Sequence, residues 1–208
     1  MAEHGWLGPL EWAATSRPLP GQTVCGDRSI AVDVNGTAAL IGVLDGLGHG
    51  ELAAEAAEYG VQILGDARGE ALDTLVQSCH RGLSNTRGVA MTLAHITFAT
   101  DTLSWLGIGN VAADLVAKHP GGLEVRSSVR LAGGIVGYRV PEVVVSQDFP
   151  IRPGDLLVIT SDGIDENHLD GIDFAAPALA IAEHNLDSHA KDNDDALVLT
   201  ARHRGASG

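Results

Sequence analysis

The longest apolar run of the 208-residue chain, residues 38–44, most limits its fold because it ends abruptly on a carboxylate. Asp45 follows the run, and three further glycines and a histidine are found within residues 46–50. The run is too short for a membrane-spanning helix, which needs about 20 apolar residues, and it is typical of a fully buried strand. Residues 155–160 form a second such run, which leads to Asp162 and a glycine. The sequence therefore predicts core strands that end at aspartates.

The order of the predicted elements favours two sheets over one parallel sheet. Apolar patterns predict strands at residues 29–34, 37–44, 89–99, 102–108, 111–118, 123–131, 142–147, 155–160 and 196–201. Helical spacing predicts helices within residues 52–63, 72–83 and 174–184, and Asn35-Gly36 predicts a hairpin turn. Because strands and helices do not alternate singly, we expect an α+β fold of two packed antiparallel β-sheets flanked by helices. No repeat or linker divides the chain, so we expect residues 1–208 to form a single domain.

Charge and cysteine content narrow the classes of partner. Thirteen basic and 27 acidic residues give a net charge of −14, which repels the phosphates of nucleic acid, so we expect no nucleic-acid partner. The N-terminal sequence lacks a basic segment followed by an apolar one, and no run is long enough to span a membrane. Two cysteines do not make a disulfide framework. These features predict a cytoplasmic protein that does not bind membranes.

Carboxylates recur at the ends of the predicted core strands. Asp45 and Asp162 each precede a glycine at a strand end. Asp27 precedes an early strand, and Asp194 and Asp195 precede the last one. One Asp-Gly pair is usually only a turn, but several carboxylates brought together repel one another strongly. Because the chain offers no matching cluster of Lys or Arg nearby, we expect a divalent cation with oxygen ligands, Mg²⁺ or Mn²⁺.

Other motifs that place carboxylates or glycines near phosphate or metal do not fit. A P-loop needs Gly-Lys-Ser/Thr after its glycines, and "GLGHGELA" has none. A phosphatase of the haloacid dehalogenase type needs a second aspartate two residues before the first, where this chain has Val43 and Thr160. The alternating ligands of an EF-hand are absent after Asp162, and so is the Gly-x-Ser-x-Gly of a nucleophile elbow. Neither cysteine has the spacing of a zinc ligand pair.

Three motifs together resemble a known family. Asp-Gly-x-Gly-His-Gly after one buried strand, Thr-Ser-Asp-Gly-Ile after another and Asp-Asp before the last strand are similar to the PPM-type metal-dependent Ser/Thr protein phosphatases. "VLDGLGHG", "RGVAMTLAHI" and "GIGNVAADL" resemble the bacterial SpoIIE/RsbX branch in particular. The resemblance extends over about residues 11–200. It implies a β-sandwich flanked by helices, with two divalent metal ions, Mn²⁺ or Mg²⁺, at one edge.

The resemblance also implies roles for individual residues. Asp45 would bridge the two ions and so be central to catalysis, and Gly46 would offer its carbonyl oxygen to one of them. Asp162 and Asp194 would hold the second ion. Asp27 matches an acidic position near the metal site, which in this family often acts through water.

Several of these assignments leave alternatives open. Asp195 is a second candidate for the metal ligand assigned to Asp194, because "DNDDAL" can be aligned one residue either way, and Leu197 replaces the usual Thr or Ser. His49 is a candidate catalytic acid for the leaving oxygen, or a histidine that only orients the following helix. Arg28 is either a phosphate ligand or a member of a surface ion pair.

By resemblance, the reaction is hydrolysis of phosphoserine or phosphothreonine by water that the two metal ions activate. The partners implied are phosphorylated proteins of stress signalling, specifically stressosome scaffold proteins with STAS domains. Alternative substrates are an anti-sigma-factor antagonist or a small phosphoester. A non-catalytic binding module of the same fold is the alternative to an enzyme. Aspartates at all three strand ends favour the enzyme, because a decayed site would have lost at least one.

Overall fold

The computed structural model describes residues 1–205, which form twelve β-strands, three α-helices and one short 3-10 helix. The strands are β1 (Ala2–Leu7), β2 (Leu10–Arg17), β3 (Asp27–Val34), β4 (Ala38–Gly46), β5 (Val89–Thr97), β6 (Thr102–Ile108), β7 (Ala112–His119), β8 (Gly122–Ser128), β9 (Leu131–Ala132), β10 (Gln147–Pro150), β11 (Leu156–Thr160) and β12 (Ala196–His203). The helices are α1 (Glu51–Asp66), α2 (Leu72–Gly82) and α3 (Ala178–His189), and the 3-10 helix is Leu83–Asn85.

The strands form two sheets, as the sequence predicts. One sheet has the order β1-β2-β12-β11-β7-β8, and the other has the order β10-β6-β5-β4-β3. Neighbouring strands run antiparallel, apart from the two-residue strand β9, which pairs in parallel with β6. The predicted α+β fold of two packed antiparallel sheets flanked by helices is therefore confirmed.

The apolar run of β4 is continuous because both faces of this strand are buried. Ile41 and Val43 pack between the two sheets, against residues such as Leu157 of β11. Leu40 and Leu44 point the opposite way, into the cluster that β4 forms with α1 and α2. Alternate residues of a strand face opposite sides, so a strand in the middle of four layers needs apolar residues at every position. The same alternation holds in β11, whose outer residues pack against α3.

Most predicted elements match the structure within a few residues, and the predicted Asn35-Gly36 turn is confirmed by positive φ values of 54° and 70°. The predicted strand at residues 142–147 is wrong. Val143 and Val145 are 76% and 70% exposed, and the strand in this region is β10, which pairs with β6. The alternating pattern there has no neighbouring strand along most of its length to form hydrogen bonds with it.

The third helix also differs from its prediction. It was expected at residues 174–184, but α3 begins at Ala178 and continues to His189. Pro177 occupies the N-cap position in an extended conformation. Because proline lacks a backbone N–H and clashes with a preceding helical turn, the chain before it stays outside the helix. Within residues 1–205, no helix combines the length and the apolar character needed to cross a bilayer.

Candidate active site

Two aspartates face each other at one end of the second sheet. Asp27, the first residue of β3, is paired in register with Asp45 near the end of β4. Asp27 is 2% exposed, and its Oδ2 atom has no hydrogen-bond partner. Asp45 is half-buried. Antiparallel pairing thus holds two carboxylates on neighbouring strands at the same edge of the sandwich.

Gly46 allows α1 to approach this edge. A Cβ atom on Gly46 would lie 2.1 Å from the carbonyl oxygen of Ala53, so no other residue fits without moving the helix. The Gly46 N–H also donates to the Gly26 carbonyl, at 3.3 Å. The turn between β4 and α1 is therefore held against both the helix and the segment that leads into β3.

The first sheet brings a third aspartate to the same end. Asp162 follows β11 and is exposed, and its Oδ2 accepts a hydrogen bond from the Asn110 side-chain nitrogen at 2.5 Å. Its carbonyl oxygen accepts a bond from Lys191 Nζ at 2.7 Å. Gly163 lies against the start of β12, since a Cβ there would be 1.8 Å from the Asp195 carbonyl oxygen. The end of β11 and the segment before β12 are consequently in direct backbone contact.

Asp194 and Asp195 have different environments although they are adjacent. Asp195 is 3% exposed, and its two oxygens accept hydrogen bonds from the backbone N–H groups of Leu19 and Gly26, at 2.7 and 2.8 Å. Asp194 is half-buried and accepts only the N–H of Asp195, at 2.9 Å. Asp195 thus anchors the loop before β3, whereas Asp194 keeps an oxygen available.

A cavity of about 420 Å³ is lined by Asp45, Asp162 and Asp194, and we call it the aspartate pocket. Its other walls are Leu47, Gly48, Ala90, Gly109, Asn110 and Ile135. A larger cavity of about 690 Å³ lies between β2, β3 and α1, but Asp27 is the one aspartate that lines it. The smaller cavity, which three aspartates line, is therefore the candidate active site.

The carboxylates raise one another's pKa. Burial first, and then the charges of Asp27, Asp162 and Asp194, raise the pKa of Asp45 to about 9. Burial is also the main cause that raises the pKa of Asp27 to about 7, with the charge of Asp195 adding to it and a hydrogen bond from the Ser161 hydroxyl opposing it.

The pKa of Asp194 is raised as well, mainly by burial and then by the charge of Asp162. No basic residue in the described part of the chain forms a salt bridge with Asp27, Asp45, Asp162 or Asp194. These four aspartates therefore have the uncompensated negative charge that attracts a cation.

The donor set fits a hard divalent cation. It consists of carboxylate and carbonyl oxygens, which Mg²⁺ and Mn²⁺ prefer, and one buried oxygen of Asp27 lacks a partner. Within residues 1–205, no three His, Cys, Asp or Glu side chains already converge on one point as ligands. The fit therefore rests on donor chemistry and mutual repulsion, and the assignment of individual metal ligands stays a prediction.

The other predicted residues have clear positions. His49 is exposed in the turn after β4, and its charge is a minor cause that lowers the pKa of Asp194 against the larger effect of burial. Arg28 donates to the carbonyl oxygens of Cys25 and Asp27 and pairs with Glu58 at 3.0 Å. Of its two predicted roles, the structure supports the ion pair.

The sequence analysis missed Asn110, which bonds directly to Asp162. A signal was present, because β6 is a buried strand that ends at Ile108 and is followed by Gly109-Asn110. Gly109 has a φ of 92°, and a Cβ on it would lie 2.6 Å from the Cβ of Ala90. A buried strand followed by glycine and a polar residue is the same pattern as the two Asp-Gly strand ends, with an amide in place of the carboxylate.

Comparison with known proteins agrees with this architecture. The model of the family described as Stage II sporulation protein E (SpoIIE) matches residues 35–207. The phosphoserine phosphatase RsbX of Bacillus subtilis (strain 168) is 24% identical over 144 residues, which cover 69% of each chain. A crystal structure of RsbX in complex with magnesium superposes with a TM-score of 0.79 at 18% identity, covering 97% of this chain and 99% of RsbX.

Two further solved structures share the fold. A structure from work on the bacterial stressosome as a modular system adapted to control secondary messenger signalling has a TM-score of 0.82 and 27% identity, covering 93% of this chain and 99% of that one. The PP2C phosphatase domain of Bacillus subtilis SpoIIE, solved with a fragment of its regulatory domain, has a TM-score of 0.74 and 17% identity, covering 93% and 63%. The chain therefore belongs to the SpoIIE family of PP2C-type (PPM) phosphatases.

Proposed function

We propose that this chain uses two divalent metal ions, Mg²⁺ or Mn²⁺, at the aspartate pocket to hydrolyse phosphoserine or phosphothreonine on a protein. One observation carries the proposal. Asp45, Asp162 and Asp194 come from three segments that are far apart in sequence, they line one cavity, and no basic residue within residues 1–205 forms a salt bridge with them. Clustered carboxylates of this kind need a cation, and a pair of divalent ions is the usual centre for in-line attack of water on phosphorus.

The residues of the pocket divide the work as follows. Asp45, the Gly46 carbonyl oxygen, Asp162 and Asp194 would hold the two ions, with Asp45 as the ligand shared by both. Asp27 is paired in register with Asp45, and its unpartnered oxygen would accept a hydrogen bond from water bound at the metal site. When bound, the ions would lower the pKa of a water molecule and offset charge on the phosphoryl oxygens.

Two further residues act beside these ligands. Asn110 holds the carboxylate of Asp162 in one orientation, as partners of metal ligands commonly do. We assign His49 the proton transfer to the leaving oxygen, because it is exposed in the turn that also carries the pocket residues Leu47 and Gly48. Asp195 is assigned no ligand role, since both of its oxygens are already bonded to backbone N–H groups.

The substrate class follows from the relatives. RsbX is named as a phosphoserine phosphatase, and another similar structure comes from work on the stressosome. We therefore infer a phosphorylated stressosome protein as substrate, specifically a scaffold protein with a STAS domain, in the cytoplasm. Residues 1–208 would act as one catalytic domain.

The first experiment measures hydrolysis of p-nitrophenyl phosphate with Mn²⁺, with Mg²⁺ and with EDTA. We expect metal-dependent turnover by the wild type, and a loss of more than about 100-fold in Asp45→Asn, because even partners of metal ligands contribute about 10- to 100-fold. Asp187→Asn is the matched control, since Asp187 is exposed on α3 and its substitution removes the same charge as Asp45→Asn. It should keep full activity.

A phosphorylated STAS-domain protein is the second substrate, followed by loss of phosphate in a mass spectrum. Turnover on both substrates supports a protein phosphatase. Turnover on p-nitrophenyl phosphate alone would replace the protein substrate with a small phosphoester. A folded protein that hydrolyses neither substrate with either metal would contradict the proposal and favour the binding module.

A further inference from the structure

An arginine lies at the rim of the aspartate pocket. Arg87 is exposed, and its Nη1 donates a long hydrogen bond to the Leu47 carbonyl oxygen, at 3.4 Å. The same nitrogen lies 2.8 Å from the position that a Cβ on Gly48 would occupy. Leu47 and Gly48 both line the pocket, next to Asp45. The guanidinium group is therefore held over the turn that forms one wall of the site.

The backbone around Arg87 is fixed relative to this turn. The Leu47 N–H donates to the Gly88 carbonyl at 3.1 Å, so the backbone after Arg87 is bonded to the same residue that its side chain contacts. Before it, the Thr86 hydroxyl donates to the Leu83 carbonyl at 2.8 Å and accepts the Gly88 N–H at 3.0 Å. Gly88 has a φ of 77°, and a Cβ on it would lie 2.6 Å from the Val136 carbonyl oxygen. These contacts fix the backbone of Arg87 beside the turn that contains Leu47 and Gly48. The exposed side chain of Arg87 is held only by its long bond to the Leu47 carbonyl oxygen.

The charge of Arg87 has no partner in the described part of the chain. Some arginines form salt bridges, such as Arg28 with Glu58, Arg126 with Asp155 and Arg204 with Glu11, and others such as Arg81 form none within residues 1–205. Arg87 forms no salt bridge within residues 1–205, and its one bond, to a neutral carbonyl, is at the limit of hydrogen-bond length. Such a bond is easily exchanged for a bond to an anion.

The pocket needs a cation of this kind if it is to attract a phosphate dianion. Two divalent ions would only balance the ionised carboxylates of Asp27, Asp45, Asp162 and Asp194. The protein as a whole has a net charge of −14, which repels an anionic substrate. A guanidinium group at the rim supplies local positive charge, and its planar fork matches two oxygens of a phosphate.

We propose that Arg87 binds the non-bridging oxygens of the substrate phosphate. The inference rests on the proposed function, because it takes the aspartate pocket as the phosphatase centre. Arg87 exchanges its bond with the Leu47 carbonyl for bonds to the phosphate, and it takes no part in proton transfer. The product, inorganic phosphate, is held by the same contact.

The test compares Arg87→Ala, Arg87→Lys and Arg81→Ala with the wild type. Arg81→Ala is the matched control, because Arg81 is exposed on α2 and lies outside the pocket, and its substitution removes the same charge as Arg87→Ala. The measurements are binding of inorganic phosphate by calorimetry in the presence of Mg²⁺, and KM and kcat for p-nitrophenyl phosphate. We expect phosphate affinity to fall about tenfold in Arg87→Ala, with a parallel rise in KM, since a hydrogen bond to a charged group contributes about this much.

Arg87→Lys should recover part of the affinity, because it keeps the charge but loses the fork, and Arg81→Ala should match the wild type. Equal phosphate affinity in the wild type and Arg87→Ala would overturn the inference while metal-dependent turnover still supports the proposed function. A wild type that binds phosphate through Arg87 but hydrolyses neither p-nitrophenyl phosphate nor the phosphorylated STAS-domain protein would overturn the proposed function alone. A folded wild type that neither binds inorganic phosphate nor hydrolyses either phosphoester substrate would overturn both the inference and the proposed function.

Discussion

The two Asp-Gly strand ends share a local sequence but differ in structure. Asp45 is half-buried, lies opposite the buried Asp27 and has a pKa raised to about 9, whereas Asp162 is exposed and bonded to Asn110. Asp45 lies near the end of a strand that is covered by α1, whereas Asp162 is exposed although its neighbours Ser161 and Gly163 are buried. The same motif thus gives one aspartate that depends on a counter-charge and one that water can solvate.

The glycines of the two motifs have a common role. Neither Gly46 nor Gly163 has a positive φ, so the turn does not require glycine for its backbone conformation. Each lies where another backbone approaches too closely for a side chain, at Ala53 for Gly46 and at Asp195 for Gly163. The family resemblance implies a different role for Gly46, whose carbonyl oxygen would bind a metal ion. In the structure the two glycines allow α1 and the start of β12 to pack against the strand ends.

The largest effect that separates the two aspartates should come from pH in the presence of EDTA. The pKa of Asp45 is raised from 3.8 to about 9 in the folded protein, so folding favours its protonated form. This stabilisation is complete below the unfolded pKa and is lost as the pH rises through about 9. We expect the metal-free protein to lose thermal stability between pH 5 and 9, measured as Tm by circular dichroism, and Asp45→Asn to lose much less.

Asp162→Asn is the comparison variant for this experiment. It removes one neighbouring charge but leaves Asp45 buried, and burial is the largest cause of the raised pKa. Most of the pH dependence should therefore persist in it. If Tm falls with pH at the same rate in the wild type and in Asp45→Asn, Asp45 is not the aspartate whose ionisation destabilises the metal-free protein. Added Mg²⁺ should raise the Tm of the wild type at pH 8.

The fold was predictable because the pattern of apolar residues in each strand reflects which of its faces are buried. The run 38–44 is apolar at every position because β4 is covered on both faces, and Asn35-Gly36 alone specifies a tight turn. Residues 142–147 show the limit of this reasoning. Their alternating pattern is typical of a strand, but a strand also needs a partner with free hydrogen-bonding groups, and a local pattern contains no information about that partner.

The candidate site was predictable in its aspartates and less so in their environments. Asp194 and Asp195 are equivalent in a local sequence pattern, and what separates them is the N–H groups of Leu19 and Gly26, about 170 positions away. Asn110 and Arg87 were missed as site residues for the same reason, since contacts with Asp162 and Leu47 connect distant segments. Which carboxylates are buried, bonded or free is decided by tertiary packing.

The next largest effect should come from filling the two glycine positions. Gly46→Ala and Gly163→Ala each place a Cβ within about 2 Å of a backbone carbonyl oxygen, at 2.1 and 1.8 Å. A backbone atom cannot turn away as a side chain does, so we expect each variant to lose about 3 kcal/mol or more of unfolding free energy, measured by urea denaturation.

Gly65→Ala is the control for these two variants. Gly65 lies near the end of α1 with a negative φ, and a Cβ there has no neighbour within 4 Å. Alanine is the better helix former, so this variant should gain about 0.5 kcal/mol. Wild-type stability in Gly46→Ala would show that α1 can move away from the strand end, and the common role of the two glycines would then be wrong.

The smallest of the three effects sharpens the comparison at the second strand end, where Gly163 brings β12 against Asp162. Asp195→Ala leaves the N–H groups of Leu19 and Gly26 without their acceptor, so we expect a loss of about 2 kcal/mol of unfolding free energy in EDTA. Asp194→Ala removes a repelling charge and a single bond to the adjacent N–H, so its stability in EDTA should be unchanged or higher. With Mg²⁺, Asp194→Ala should lose more activity than Asp195→Ala, because Asp194 lines the pocket and Asp195 does not. A loss of turnover in Asp195→Ala at a temperature where it is fully folded, with Asp194→Ala still active, would move the proposed metal ligand by one residue.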